Sequence, residues 1–437
     1  MNRRFITILL GLLVVIVAYH YYLGYDLSRQ IGEGLQKLNQ QKTFPAQIDY
    51  GDIDVSPFNG DVQITDIEIE QRNNGNHLSL ATATMDLTYW DFLTLYFMGT
   101  RHGLDDLEEI AIHLQHINIA GSDNENQATI KQTDVQLNGT VLDWVRMFNG
   151  QALKQQRNNL VISGDDISVS AGALDHPRWN FLKAAIKQLQ WYNIEIDLDP
   201  DKRAFTIHNT SVHGPNLDFT FNGSVPANLY ALQSFPPVQF KADYTLDINS
   251  EAISIPFSPT WGGLSANKLH WQASIEHHSG SSDDSVYNPF LDKGSHKIRL
   301  NEPSWIPPKT IQQNYGPLFS GFGIDLSGID GKELEAAYQY DPDQQSLTLQ
   351  SFRYPTDNFT MSAHGNFKLN REKVSQTQIQ QATLRVSDLD PNLANAVTNL
   401  EKLFGLNLPR QNGDIVIELK GTIGHPVWAN RAKTGSR

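Results

Sequence analysis

Fourteen histidines and no cysteine restrict any metal chemistry in this chain to imidazole and carboxylate ligands. The densest candidates are His277-His278 near Asp283-Asp284, and His113 with His116. On a strand His113 and His116 point to opposite faces, and adjacent His277 and His278 meet one ion only in an irregular loop. Asp105-Asp106 with Glu108-Glu109, and Asp165-Asp166, have the residue types of paired catalytic carboxylates, but such acidic runs read better as solvated turns. The missing cysteines exclude disulfides, thiolate nucleophiles and iron-sulfur sites. No nucleophile elbow, phosphate-binding loop, dinucleotide glycine fingerprint or zinc-protease helix motif occurs. The chain is therefore read as a non-enzyme, with no catalytic residue, no metal and no cofactor assigned. Its net charge of -14 supplies no basic stripe to displace counterions from phosphate, which argues against nucleic acid as a partner.

What would have to position any site is a set of strands, and one stretch of them occurs twice. Asn193 to Val225 aligns without a gap on Glu335 to Phe367, matching Asp199/Asp341, Pro200/Pro342, Asp201/Asp343, Thr206/Thr348, Asn216/Asn358 and Gly223/Gly365. Apolar residues alternate in the same phase in both copies, and Asp-Pro-Asp supplies the reversal, so each copy is expected to be a meander of about three antiparallel strands. Its phase-matched apolar residues Phe205, Ile207, Leu217, Phe219, Phe221, Leu347, Leu349, Phe359 and Met361 are the candidate ligand-contacting set.

At the N-terminus, Phe5 to Tyr25 carries no formal charge, and about 21 residues at 1.5 Å rise give roughly 32 Å, about a bilayer's hydrocarbon thickness. Arg3 and Arg4 precede the run and Asp26 follows it, so the positive-inside rule keeps the N-terminus cytoplasmic and exports the remainder. Tyr19, Tyr21, Tyr22 and Tyr25 crowd the far end, where amphipathic rings suit a headgroup layer. Bulky Tyr-His-Tyr-Tyr stands where a cleavage site would need small residues, which favours an uncleaved signal-anchor over a signal peptide. Leu27, Ile31, Leu35 and Leu38 continue at helical spacing to Pro45, as a stalk helix expected to dock on the first strands.

Beyond it, Ile53 and Val55 alternate, Ser56 to Gly60 is turn chemistry, and Val62, Ile64 then Ile67, Ile69 alternate around a one-residue phase slip at Thr65-Asp66 that looks like a bulge. A strand through Met85 and Leu87 leads to the aromatic-leucine run Trp90 to Phe97, and Ile110 to Ile119 alternates again. This order of pieces, over Asp54 to Gly60, Val62 to Ile69, Thr82 to Tyr96 and Leu107 to Ile119, resembles the N-terminal module of the AsmA-like family (the AsmA, TamB, YhdP and DUF748 group). Ile415 to Trp428 resembles that family's closing strand. The resemblance implies a single-pass inner-membrane protein of a Gram-negative envelope, with the bulk of the chain periplasmic. It also implies long sheets curled into a groove that solvates acyl chains in lipid transport or envelope homeostasis. A second anchored family, DUF945, has a similar anchor followed by β-structure, and both assignments stand at this point.

The expected fold is mainly β: an N-terminal transmembrane helix followed by long antiparallel, curled or sandwich-like sheets with a few short amphipathic helices. Residues 1-25 are the anchor, 26-42 a juxtamembrane helix, 43-185 the N-terminal module, 186-253 the first repeat copy, 254-312 a linker or long loop, and 313-437 the second copy with a C-terminal helix and closing strands. The linker reading rests on the Pro, Gly, Ser and Trp texture of Ser254 to Pro308. Short helices are expected at Val141 to Phe148 and Trp179 to Leu189, and a helix capped by Asp390 from Pro391 through Phe404. The expected partners are the membrane, phospholipid and other envelope proteins. About twenty strands at roughly 4.8 Å extend on the order of 100 Å, which suits a local acceptor better than a complete bridge. The alternative is an anchored, non-catalytic scaffold whose exposed edge strand binds another envelope protein.

Overall fold

Alternating apolar residues dominate the chain, and strands with one apolar and one polar face are what it forms. The computed structural model describes residues 3–41, 46–56, 58–72, 75–98, 109–120, 127–139, 158–170, 185–199, 204–226, 239–258, 262–278, 292–321, 325–370 and 373–430. The chain divides into two units, one of residues 1–175, 186–215 and 222–235 and the other of residues 176–185, 216–221 and 236–437.

The first unit opens with α1 (Arg3–Gln40), one helix that covers the expected anchor and the juxtamembrane stretch continuing from it. β1 (Ala46–Asp49) and β2 (Asp52–Ser56) both pair with β3 (Asp61–Gln71). β4 (His77–Asp86), α2 (Tyr89–Met98), β5 (Glu109–Ala120), β6 (Gln127–Asn138), β7 (Asn158–Ser170), β8 (Gln188–Asp199) and β9 (Ala204–Gly214) follow. From β3 to β9 every strand pairs antiparallel with the next. The stalk docks as expected: Asn39 of α1 holds β1 through both backbone groups of Ile48, at 2.8 and 2.6 Å. Leu23, Leu27 and Ile31 pack with Val55, Val62, Leu87 and Ile110.

The phase slip at Thr65-Asp66 is a local kink, with Asp66 in left-handed backbone at φ 50°. The same conformation returns at His116 (φ 53°) and Asp166 (φ 51°), each immediately before a buried isoleucine, Ile67, Ile117 and Ile167. Asp66 and His116 lie on either side of Ala81, and His116 and Asp166 on either side of Lys131, so the three form one crease across alternate strands. Left-handed backbone costs a residue with a Cβ about 1 kcal/mol, and here it restores the inward phase of the isoleucine that follows. Asp165 and Asp166 thus lie within β7, where a solvated turn was expected.

Residues 217–226 form β10 (Leu217–Pro226). In the second unit, β11 (Gln239–Ser258), β12 (Gly262–His278) and β13 (Lys293–Asn301) are consecutive antiparallel neighbours, and β14 (Ser304–Ile306) lies beside the start of β12. α3 (Lys309–Ser320) and β15 (Ile329–Asp330) lead to β16 (Glu333–Asp341), which returns to β13. β17 (Ser346–Pro355), β18 (Thr360–Lys368), β19 (Gln378–Ser387), β21 (Asp414–Thr422) and β22 (Pro426–Trp428) continue the ladder, with α4 (Pro391–Phe404) and β20 (Arg410–Gln411) between β19 and β21. The expected linker at 254–312 is corrected: residues 262–278 and 293–301 are sheet. Its side chains include Leu269, Trp271 and Ile275, all buried, and Ile253 beside it is 0 % exposed. Alternation is real there, but it changes phase between Ala266 and Leu269, and Pro256 sits at a register shift that resembles a loop composition.

Both repeat copies contain the expected meander strands, β8, β9 and β10 in one and β16, β17 and β18 in the other. Asn193 pairs with Ser211 and Asp199 with Ala204; their counterparts Glu335 with Arg353 and Asp341 with Ser346 pair identically. Each first hairpin also carries a register shift in its upper half, between Asn193/Glu195 and between Ala337/Tyr338. Asp341 accepts the backbone N–H of Asp343 (2.9 Å) and of Gln344 (3.2 Å), which builds the turn.

The helix at 391–404 is as read, with Asp390 accepting from the Asn392 N–H at 2.8 Å and Gly405 closing it at φ 62°. Ala396 is buried while Leu403 is 69 % exposed, so the apolar stripe is only partly covered. The expected helix at 141–148 and most of that at 179–189 lie outside the described residues; Leu189 belongs to β8. Among the described residues no strand pairing joins β9 to β1 or β2, or β22 to β11, and neither ladder closes on itself. Among the described residues, four helices of eight or more residues and open antiparallel sheet make the fold mainly β.

Candidate functional site

In the first unit the registers align apolar residues into rows across successive strands. Val62, Met85, Ile112, Val135, Ile162 and Ile194 form one row, and Ile67, Leu80, Ile117, Ile130, Ile167 and Leu189 form another across the crease. Val62, Ile67, Leu80, Ile117 and Ile167 are buried, while Met85, Ile112, Ile130, Val135, Ile162, Leu189 and Ile194 stay half-buried. A polar spot interrupts this face. The Tyr192 ring lies over Gly164, where a Cβ would come within 2.4 Å of it, and its hydroxyl bonds Thr133 Oγ1 at 2.9 Å. Burial raises the pKa of Tyr192, which keeps its hydroxyl neutral.

The second unit has its own apolar face. Ile298, Ala336, Phe352, Ala363, Leu384 and Ile417 form one row; His296, Tyr338, Leu349, Gly365, Ala382 and Leu419 form the next. Side chains on β11, β12 and the end of β13 are buried, whereas Phe352, Ala363, Leu384 and Ile417 remain half-buried. An aromatic series crosses four strands here. Tyr244 meets the edge of Trp271 at 4.8 Å between centroids, Trp271 stacks on His296 at 6.0 Å, and His296 stacks on Tyr338 at 4.7 Å. His296 is 2 % exposed; Nε2 donates to the Asp292 carbonyl at 3.1 Å, and among the described residues Nδ1 has no hydrogen-bond partner. Burial lowers its pKa, which favours the neutral ring, and burial raises that of Tyr338.

The sequence-derived contact set divides between these surroundings. Leu347, Leu349 and Met361 share the apolar face of β17 and β18, where Leu347 faces Tyr340 and Phe367, and Met361 faces Tyr354. Phe359 sits in the turn before β18, its carbonyl accepting from Thr356 at 2.8 Å. Ile207 lies opposite Ile196 on β8 and is half-buried; Phe205 lies opposite Leu198, its side chain outside the described residues. Leu217 is buried at 4 % exposure, and Phe219 and Phe221 contact each other at 6.3 Å on β10. Leu217 is thus core, and the remaining described members are half-buried. Sequence reasoning left out the Trp271–His296 series and the isoleucine row of the crease, although the recurring phase slip was available to find the latter.

Of the histidines named as metal candidates, His113 serves the polar face. His113 Nδ1 meets Asp134 at 2.6 Å and Nε2 meets Asp86 at 3.1 Å, bridging β4, β5 and β6. Its hydrogen bond to Asp134 is the main cause that raises its pKa; burial opposes it, and the charges of Asp86 and Asp134 add to the rise. His270 pairs likewise with Asp247 at 2.6 Å, and His208 with Asp197 at 3.2 Å. Among the described residues no group of three His, Asp or Glu side chains is placed to hold a metal ion. The segment 279–291, with Asp283 and Asp284, lies outside them.

Among the described residues no helix is long and apolar enough to cross a membrane; the side chains of Phe5 to Leu13 lie outside that set. Where α1 is described, Val14, Val15, Tyr21, Tyr22 and Tyr25 are exposed. Comparison with protein families, with curated proteins and with solved structures gave no significant match.

Proposed function

We propose that this is a membrane-anchored envelope protein of AsmA-like type, non-enzymatic, whose open sheets carry the acyl chains of phospholipid in lipid transport or envelope homeostasis. In this reading α1 spans the inner membrane with its N-terminus cytoplasmic, and both units lie in the periplasm. The observation that carries the reading is the state of the apolar faces. Neither ladder closes, and rows such as Ile112, Val135 and Ile162, or Phe352, Ala363 and Leu384, are left half-buried instead of sealed. Side chains in that state gain roughly 25 cal/mol for each Å² that an acyl chain removes from water. Phosphate headgroups would remain at the solvated rim, which asks nothing of the acidic surface. Native mass spectrometry of the full chain released gently from lipid nanodiscs tests this. Retained phospholipid masses support the reading; a lipid-free chain under the same conditions favours a scaffold that binds another protein.

A further inference from the structure

We infer that the first unit has a second membrane contact besides α1: an aromatic foot made by Phe58, Tyr89 and Trp90 that rests in the lipid headgroup layer. The inference depends on the reading of α1 as the anchor. Two separate segments supply the rings, the turn before β3 and the start of α2, and contacts with His20 fix their level along α1. His20 of α1 stacks on Phe58 at 4.4 Å and on Tyr89 at 5.8 Å, and its Nε2 bonds the Tyr89 hydroxyl at 2.9 Å. Trp90 stands edge-on to Tyr89 at 5.9 Å. At the other end of α2, the Tyr96 hydroxyl donates to Asp26 at 3.4 Å. The start of α2 is therefore level with Tyr19 to Tyr22, and its end lies further along α1, away from the apolar run.

This start is held firmly. Thr88 and Asp91 cap one another, the Asp91 carboxylate accepting from the Thr88 N–H at 3.2 Å and the Thr88 hydroxyl from the Asp91 N–H at 3.2 Å. With the backbone so fixed, Trp90 is 74 % exposed and Phe58 59 %. Large rings held out of the core, beside a helix whose own Val14, Val15 and Tyr21 are exposed, make an apolar collar. Indole and phenol groups are the side chains favoured where hydrocarbon meets headgroup, because the ring is apolar and its N–H or O–H stays wet. The occupant of this collar is thus the bilayer surface. Its consequence is mechanical: α1 and the foot touch the membrane at two points, so the sheet that begins at β2 and β3 cannot swivel freely about the anchor.

The chain has no cysteine, so single cysteines introduced into the full chain can carry an environment-sensitive fluorophore. Y21C reports the anchor, F58C and W90C the foot, and T129C the exposed face of β6. Each labelled chain is reconstituted into phosphatidylethanolamine/phosphatidylglycerol vesicles containing headgroup-nitroxide lipid. The labels at 21, 58 and 90 are expected to lose about half of their emission, and that at 129 to be unaffected. Quenching at 21 with 58 and 90 behaving like 129 overturns the foot and leaves the anchor standing. No quenching at 21 overturns the anchor, and the foot with it.

Discussion

Asp66 and His116 flank Ala81 from the two neighbouring strands, and both hold left-handed backbone, at φ 50° and 53°. Each precedes an isoleucine that is among the most buried side chains of its unit. The strained residue and the buried one are linked: without the kink, the period of two would turn Ile67 and Ile117 to the polar face. His116→Gly is expected to raise stability by about 1 kcal/mol, since glycine adopts this backbone without steric cost, and His116→Val to lower it by about 2 kcal/mol. Urea denaturation midpoints of the two variants, moving in opposite directions, check this; a shift in the same direction would remove the crease from the account.

The row beyond the crease makes a second prediction. Ile117 packs with Ile67 and Leu80 and is 5 % exposed, whereas Ile119, two residues on and on the same face, is 40 % exposed. Ile117→Ala is expected to cost about 2–5 kcal/mol and Ile119→Ala less than about 1 kcal/mol, measured by chemical denaturation.

Two histidines should give opposite pH dependences. His113 has its pKa raised, chiefly by its hydrogen bond to Asp134, so its contribution is full below the unfolded value near 6.5 and is lost as pH rises through the folded one. His296 has its pKa lowered by burial. Its contribution is present above 6.5 and is lost as pH falls below that value toward the folded one. In denaturation midpoints followed against pH, His113→Asn should flatten the loss above pH 6.5. His296→Phe should flatten the loss below it. An unchanged profile for His296→Phe would mean that the buried ring titrates normally.

Much of the strand order was legible because alternation is a local signal. Val62, Ile64, Ile67 and Ile69 disclose both a strand and its kink, and Asp390-Pro391 with Gly405 punctuates α4 at both ends. The repeat was legible for the same reason, as matched turn residues imply matched registers. β12 was missed because Gly262 and Gly263 at its start, and the prolines of the stretches flanking it, carry loop chemistry, while the burial that decides the matter comes from β11 and β13 beside it. The Trp271–His296–Tyr338 series was out of reach altogether. It requires β13 to pair with β16 across the intervening β14, α3 and β15, a long-range choice that no local pattern encodes.

The claim that these apolar faces solvate acyl chains is tested most directly on β17, where Leu349 faces the apolar side and its neighbour Thr348 the polar side, both half-buried. A photoreactive benzoylphenylalanine at each position in turn, activated in cells and followed by mass spectrometry of the purified full chain, reads which side meets lipid. Phospholipid adducts at 349 and not at 348 are the predicted result. Adducts at neither position, or equal yields at both, would contradict the account.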